Sequence, residues 1–472
     1  MRTKALAAVT ALTLLPLSAL PASATPRLDW KPCATEYAPT LECANLQVNG
    51  TISIALAKLP ATDPARRVGS LLTNPGGPGG AGVTVLKYGG RGFALDKPET
   101  AELRQRFDVI GFDPRGVGDS RPAVTCAPTL HDPAIGRFPK SRADYDKFIA
   151  HNRASGAECL KRTGPVLSQV DTWHAADDIE SIRVALGEPK ISWLGVSYGS
   201  ELGAVYAEKY PKRVRTMVLD GAIDHSLPTK KAILDEAIAT ESALGDFAKW
   251  CPTSDECALR GKDVLATYDT LMATPGGVPA SELGRNVTAE EMASGVYGAL
   301  ILPAFWPELS KAISAATAEK PDATGLAPYS QLDPSYGAYR AIGCHDFGPA
   351  FTSYADMRVM QGLVKTLAPH SWRYSEFWDI TSGCAGWPVA PAYPPQPQKV
   401  RGAAPILVVG GEHDPATPLA WARGLAKNIE NSTLLVDAGY GHTGLLNSAC
   451  VRTEEVKYLV SGVTPAPGKV CR

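Results

Sequence analysis

Ile191-Ser192-Trp193-Leu194-Gly195-Val196-Ser197-Tyr198-Gly199-Ser200-Glu201-Leu202-Gly203-Ala204-Val205-Tyr206 is the stretch on which the fold turns. A short apolar run of β-type residues enters Gly195-Val196-Ser197-Tyr198-Gly199, and a helix-competent segment with small residues at Gly203 and Ala204 leaves it. Strand, sharp turn and helix in that order, with serine at the turn, make a nucleophile elbow, which holds the hydroxyl exposed above the end of a sheet. The flanking glycines leave room where a side chain would meet the neighbouring strand or helix. In a chain with 44 glycines the five-residue pattern alone is a weak signal, so the surrounding sequence has to carry the reading.

Upstream, Val68 to Thr73 reads as an apolar strand that runs into Asn74-Pro75-Gly76-Gly77-Pro78-Gly79-Gly80-Ala81-Gly82. This loop lacks the Lys-Ser/Thr ending of a phosphate loop and the Gly-x-Gly-x-x-Gly spacing of a dinucleotide site. Residues without side chains directly after a strand suit an oxyanion loop, whose backbone N–H groups face a substrate carbonyl. Further strands are expected from Gln47 to Lys58, from Phe107 to Asp113 and from Val214 to Leu219, the last ending at Asp220-Gly221. Asp113 and Arg115, in the turn Pro114 to Ser120, read as a structural ion pair. A polar excursion follows to about Gln169, and Thr172 to Leu186 has the spacing of an amphipathic helix. Strands alternating with helical segments predict an α/β fold, a mostly parallel central sheet with helices on both faces.

The alternation stops near Ile223. Helical segments are expected at Lys230 to Trp250, Ala289 to Leu302 and Pro307 to Ala318, followed by Pro-, Trp- and Tyr-rich loops and a proline-rich connector at Pro388 to Pro397. It resumes with an apolar strand, Ala404 to Val409, closed by Gly410 to Pro418, a helix from Leu419 to Ile429, a last strand from Ser432 to Val436, closed by Asp437 to Thr443, and a final helix from Cys450 to Ser461. The domain reading is therefore a core of residues 25–224 plus 397–472, with residues 225–396 inserted as a large, mainly helical cap.

Ligands of parallel α/β sheets sit at the carboxyl ends of strands. Four such ends carry polar or glycine-rich turns: Gly76-Gly77, Ser197, Asp414 and His442. Ser, Asp, His is the chain order of an α/β-hydrolase triad. Ser197 needs a base to take its proton as it attacks a carbonyl carbon. His442 can take that proton near neutral pH and return it to the leaving group. Asp414 would hold the imidazole tautomer and stabilise the imidazolium. The backbone N–H groups of Tyr198 and Gly77 are the candidate oxyanion donors. Asp220 is a competing acid because it too ends a strand, and His413 is a competing base, although it precedes Asp414.

Residues 1–24 read as a secretory signal: Arg2 and Lys4, an apolar run from Ala5 to Leu20 interrupted by Pro16, then Ala22-Ser23-Ala24 as a cleavage site. No cysteine follows that site, so no lipid anchor is expected. Ten cysteines without a Cys-x-x-Cys point to disulfides in an exported chain. Pairing between sequential neighbours is the expectation: Cys33–Cys43, Cys126–Cys159, Cys251–Cys257, Cys344–Cys384 and Cys450–Cys471. A formal net charge of −1 without a basic block favours neither nucleic acid nor an anionic membrane as a partner. A monomer acting on small molecules or peptides is expected.

Asn-Pro-Gly-Gly-Pro-Gly-Gly at 74–80, Gly-Phe-Asp-Pro-Arg-Gly-Val-Gly-Asp-Ser at 111–120, Leu-Gly-Val-Ser-Tyr-Gly at 194–199 and Asp-Pro-Ala-Thr-Pro at 414–418 resemble the secreted tripeptidyl aminopeptidases of bacteria. Those are capped α/β-hydrolases related to the proline iminopeptidases. Cys344-His345-Asp346 and Cys384-Ala385-Gly386-Trp387 are similar to the family pattern too, so the resemblance spans nearly the whole mature chain. It implies a serine exopeptidase that releases short peptides from a free N-terminus, with Gly77 as an oxyanion donor and without a metal or cofactor. Proline iminopeptidases carry His before Gly-Gly-Pro-Gly, whereas this chain has Pro75, which favours the tripeptidyl branch. A cap carboxylate is expected to bind the substrate amine, the candidates being Asp235, Glu236, Glu241 and Asp346. A carboxylesterase or lipase with the same triad is the alternative, and a non-catalytic binding protein on a hydrolase scaffold a lesser one.

Overall fold

Continuous apolar runs build the centre of the molecule. In the computed structural model, which describes residues 28–472, they form strands β1 (Lys31–Pro32), β2 (Glu42–Val48), β3 (Ile52–Leu59), β4 (Gly69–Asn74), β5 (Phe107–Phe112), β6 (Ile191–Val196) and β7 (Val214–Asp220). A short pair, β8 (Val278–Ala280) and β9 (Arg285–Val287), stands apart, and β10 (Ile406–His413), β11 (Ser432–Tyr440) and β12 (Val470–Cys471) complete the set. Ten of them make one sheet in the order β1-β2-β3-β5-β4-β6-β7-β10-β11-β12. From β5 across to β12 all neighbours are parallel, while β1, β2 and β3 form an antiparallel extension on β5. Every residue of β4 and β6 is buried, as expected of central strands covered on both faces.

The pleat sorts these strands into two cores. Leu72, Trp193, Leu219 and Val408 point to one face, packed by helices Thr172–Ala185, Tyr198–Lys209 and Leu419–Asn428. Their neighbours Leu71, Leu194, Val218 and Leu407 point to the other, packed by helices Gly82–Lys87, Ala101–Arg106 and Ala449–Ser461. The protein therefore has the mostly parallel α/β-hydrolase sheet with helices on both faces.

Between Asp220 and Ile406 the chain adds no strand to this sheet. It folds into helices: Thr229–Trp250, Val264–Met272, Ala289–Leu300 and Trp306–Ala316 pack around an apolar cluster centred on Phe247, Tyr268, Met292, Trp306 and Leu309, and Tyr336–Asp346, Tyr354–Leu367 and Glu376–Gly383 around a second that includes Cys344, Met357, Phe377 and Trp378. The last three of those helices replace loops expected from the sequence. They contain Gly337, Gly343, Thr381 and several aromatics, whose weak helix propensity is outweighed by burial. Helix Arg142–Thr163 likewise occupies the stretch read as a polar excursion.

Three other expectations are corrected. Gln47 to Lys58 is not one strand but parts of the hairpin β2–β3, because Asn49 and Gly50 both take positive φ (51° and 70°) and reverse the chain. Ser432 to Val436 is neither the whole strand nor the last one, since β11 runs to Tyr440 and β12 pairs with it. Arg115 does not pair with Asp113. It makes a two-pronged ion pair with Asp178 at 2.6 and 2.7 Å, both side chains buried, whereas Asp113 accepts the N–H groups of Val83 and Asp119.

All five disulfides join sequential neighbours: Cys33–Cys43, Cys126–Cys159, Cys251–Cys257, Cys344–Cys384 and Cys450–Cys471. Among the described residues no helix is long and apolar enough to cross a membrane. The segment read as a signal, 1–24, lies outside the described residues.

Candidate active site

Ser197 sits between β6 and helix Tyr198–Lys209 with φ 57° and ψ −126°, a conformation that costs a non-glycine residue energy and is held by its surroundings. The tight fit explains the glycines on either side. A Cβ on Gly195 would lie 2.1 Å from the Gly199 carbonyl oxygen, and one on Gly199 would lie 2.6 Å from the Asn74 carbonyl oxygen. The Ser197 N–H donates to the Asp220 carbonyl at 2.8 Å, which ties the turn to the end of β7.

The glycine-rich loop after β4 passes directly over this turn. A Cβ on Gly76 would come within 2.8 Å of the Ser197 Cβ and 3.3 Å of the Tyr198 nitrogen, so side-chain-free backbone is required there. Asn74 Oδ1 accepts the Gly76 N–H at 3.0 Å, and the Gly76 carbonyl accepts the Gly80 N–H at 3.0 Å, which fixes the loop around Gly77. Tyr198 is the first residue of its helix, so its N–H has no partner within the helix. Asp113 anchors the far end of the loop through the Val83 N–H at 2.9 Å, and burial pushes its carboxyl up to about 6.

Asp414 and His442 meet at the ends of β10 and β11. His442 Nδ1 lies 2.9 Å from Asp414 Oδ2 and 3.0 Å from Oδ1. Asp414 is buried, and its carboxylate also accepts the N–H groups of Ala416 and Thr417 at 2.9 Å each. The Thr417 hydroxyl, which the sequence reading did not single out, donates to Asp414 Oδ2 at 2.9 Å and lies 3.2 Å from His442 Nδ1. Burial works to lower the basicity of His442, but the Asp414 charge and hydrogen bond outweigh it and raise the imidazole above its ordinary value. The inserted segment reaches this loop as well, because the His442 N–H donates to the Ile301 carbonyl at 2.7 Å.

The competitors do other work. Asp220 accepts the N–H groups of Gly444 and Leu445 at 3.1 and 2.7 Å, bracing the turn after His442 without bonding its imidazole. His413 Nδ1 pairs with Asp246 at 2.9 Å.

Ser197, Gly77 and His442 line one cavity of about 260 Å³, walled by Val196, Ile301 and Leu446 among others, with Tyr297 and Glu376 contributed by the inserted segment. Of the four carboxylates expected to bind an amine, three are occupied elsewhere. Asp235 bonds Lys231 and Trp421, Glu241 bonds Ser371, and Asp346 bonds the N–H and hydroxyl of Thr172. Glu236 lies just behind Glu376 and is fully buried, accepting the N–H groups of Glu376 and Phe377 at 3.0 and 2.8 Å. Tyr297 bridges the two glutamates, its hydroxyl 3.0 Å from Glu236 Oε1 and 3.2 Å from Glu376 Oε2.

Burial and the Glu376 charge push Glu236 up to about 8, and burial pushes Glu376 up to about 7. One phenolic proton serves only one of these bonds. Glu376 was missed because it lies in a stretch read as loop. Ser375, whose hydroxyl accepts the Trp378 N–H at 3.3 Å, is the helix-start signal that marks the glutamate after it.

Residues 371–471 match a family described as TAP-like protein, and residues 70–271 one described as alpha/beta hydrolase fold. Serine protease Hip1 of Mycobacterium tuberculosis is 31% identical, over 94% of this chain and 91% of its own. Tripeptidyl aminopeptidase of Streptomyces lividans is 30% identical, over 94% and 86% respectively. Carboxylesterase B of Mycobacterium tuberculosis is 31% identical, over 94% and 90%. The sheet, the elbow and these relatives agree: the chain belongs to the TAP-like family of α/β-hydrolases and is a serine hydrolase.

Proposed function

We propose that this protein is an exported serine exopeptidase that cleaves peptides near a free N-terminus, releasing short peptides, tripeptides by the sense of the resemblance and of one relative's name. Ser197 is the nucleophile, His442 the general base and acid, Asp414 the residue that orients it, and the N–H groups of Gly77 and Tyr198 the oxyanion donors. Ser197 Oγ bonds to the scissile carbonyl carbon while His442 takes its proton, and the carbonyl electron pair moves onto oxygen, facing the two N–H groups. The C–N bond then breaks as His442 passes the proton to the leaving amine, so the N-terminal fragment remains as an ester on Ser197. Water gives a proton to His442 and attacks that ester, and Ser197 recovers its proton as the short peptide leaves. Asp414 stabilises the imidazolium in both halves.

The observation that carries the exopeptidase reading is Glu376, a carboxylate inside the cavity that holds Ser197 and His442. A substrate ammonium has few other partners in a wall made largely of Pro, Val, Ile, Leu and Ala side chains. The five disulfides are consistent with export into an oxidising compartment through the segment read over 1–24.

One peptide series tests this reading: identical sequences with a free or an acetylated amino end, beside short acyl esters. Cleavage confined to free amino ends supports the exopeptidase. The apolar wall of Ile301, Leu302 and Leu446, together with the relative named carboxylesterase, favours an esterase as the second reading, and turnover of esters alone would establish it.

A further inference from the structure

Two cavities meet at Glu376. The first holds Ser197 and His442, and the second, of about 250 Å³, shares Gly77 and Glu376 with it but contains neither of those residues. Tyr336, Tyr339, Tyr374 and Gln331 line the second cavity, and Gly79 closes one side, where a Cβ would stand 3.0 Å from the Tyr339 nitrogen. The aromatic walls are held in place. Tyr336 donates to Asp379 at 2.9 Å and stacks on Tyr339 with ring centres 5.6 Å apart, and Tyr374 packs on Tyr297 at 5.2 Å. Gln331 is fixed by its Nε2, which donates to Ser294 at 3.2 Å, and the Tyr339 hydroxyl faces Glu376.

Resting on the exopeptidase reading, we infer that this second cavity is the subsite for the side chain of the substrate's N-terminal residue, and that it selects an aromatic residue. An ammonium held by Glu376 places the first Cα one bond away, about 1.5 Å. That carbon carries two branches. Its carbonyl branch must run toward Ser197 for the chain to be cut, so its side chain turns into the cavity on the other side of Glu376. Tyrosine rings favour offset or edge contact with another aromatic ring. A carboxylate side chain would lie beside Glu376 and is rejected.

Hexapeptides X-Ala-Ala-Ala-Ala-Ala, with X as Ala, Phe, Tyr or Asp and each with a free or acetylated amino end, test the inference by kcat/KM and by the masses of the products. For free amino ends Tyr and Phe are expected about tenfold over Ala, with Asp below Ala. Ser330→Trp, at an exposed position on the rim, is expected to fill the cavity and reduce the Phe-to-Ala ratio to about one. Rates on free peptides that do not depend on X, or a Phe-to-Ala ratio unmoved by Ser330→Trp, overturn the subsite and leave the exopeptidase standing. Equal cleavage of acetylated and free peptides overturns the exopeptidase reading itself.

Discussion

The strand ends of the sheet and the helices inserted after β7 hold the two halves of the site by different means. At the strand ends backbone does the holding. Ser197 is pinned by the Asp220 carbonyl, and Asp414 by the N–H groups of Ala416 and Thr417. In the insertion side chains do it: Glu376 is backed by Glu236 and Tyr297, and the tyrosines of the second cavity lean on one another. On the proposed function, reaction chemistry belongs to the sheet and substrate choice to the insertion, and the hydrogen bond from the His442 N–H to the Ile301 carbonyl is one of several that join the two regions.

Breaking the sheet side has the largest expected effect. Ser197→Ala should lower kcat by about 10⁵-fold on every substrate, peptide or ester, in a folded protein. Asp414→Asn should cost about 10⁴-fold in kcat, whereas His413→Ala, at a residue that pairs with Asp246, should stay within about twofold. Circular dichroism and active-site titration with a serine-directed phosphonate separate these losses from misfolding.

Breaking the insertion side should move KM more than kcat. Glu376→Gln is expected to raise KM about 10- to 100-fold for peptides with a free amino end. The pH dependence sharpens the contrast. Burial holds Glu376 up to about 7, so its carboxylate is lost as pH falls through that value and amine binding weakens. The substrate's own amino group loses its proton above about 7.7–8.0, so 1/KM should peak between those limits, and Glu376→Gln should remove the acid side of the peak. His442 must be neutral to act as base and is held above its ordinary value, so kcat should fall on the acid side at a pH above about 6.5. The Glu376 charge contributes to that elevation, so the Gln variant should shift the kcat limb to lower pH. A smaller loss than any of these catalytic ones is expected from Thr417→Val, which removes one hydrogen bond to Asp414 and should cost about fivefold in kcat.

The same division governs what could be read in the sequence. β4, β6, β7 and β10 are legible because buried parallel strands are continuous apolar runs, and their polar ends stand out as Gly76-Gly77, Ser197 and Asp414. The Asn49-Gly50 turn carried a hairpin signal that the alternation of Gln47 to Lys58 concealed. The insertion is hard to read for a physical reason. Helices such as Tyr336–Asp346 and Glu376–Gly383 are buried on most sides, so they lack the one-sided apolar stripe that marks a surface helix. Glu236 was within reach as a candidate, but a helical carboxylate looks the same in sequence whether it faces solvent, as most do, or stands behind a second carboxylate in a cavity.

In the proposed function Glu376 reads the substrate's amino group while Ser197 and His442 cut. The direct measurement is kcat/KM of wild type and Glu376→Gln on one peptide with a free and with an acetylated amino end. At least a tenfold fall is expected for the free peptide, in line with the loss of a charge-assisted hydrogen bond of about 1.5–3 kcal/mol, with the acetylated peptide cleaved no better by the variant than by the wild type. An equal fall for both peptides, or no fall for either, would contradict it.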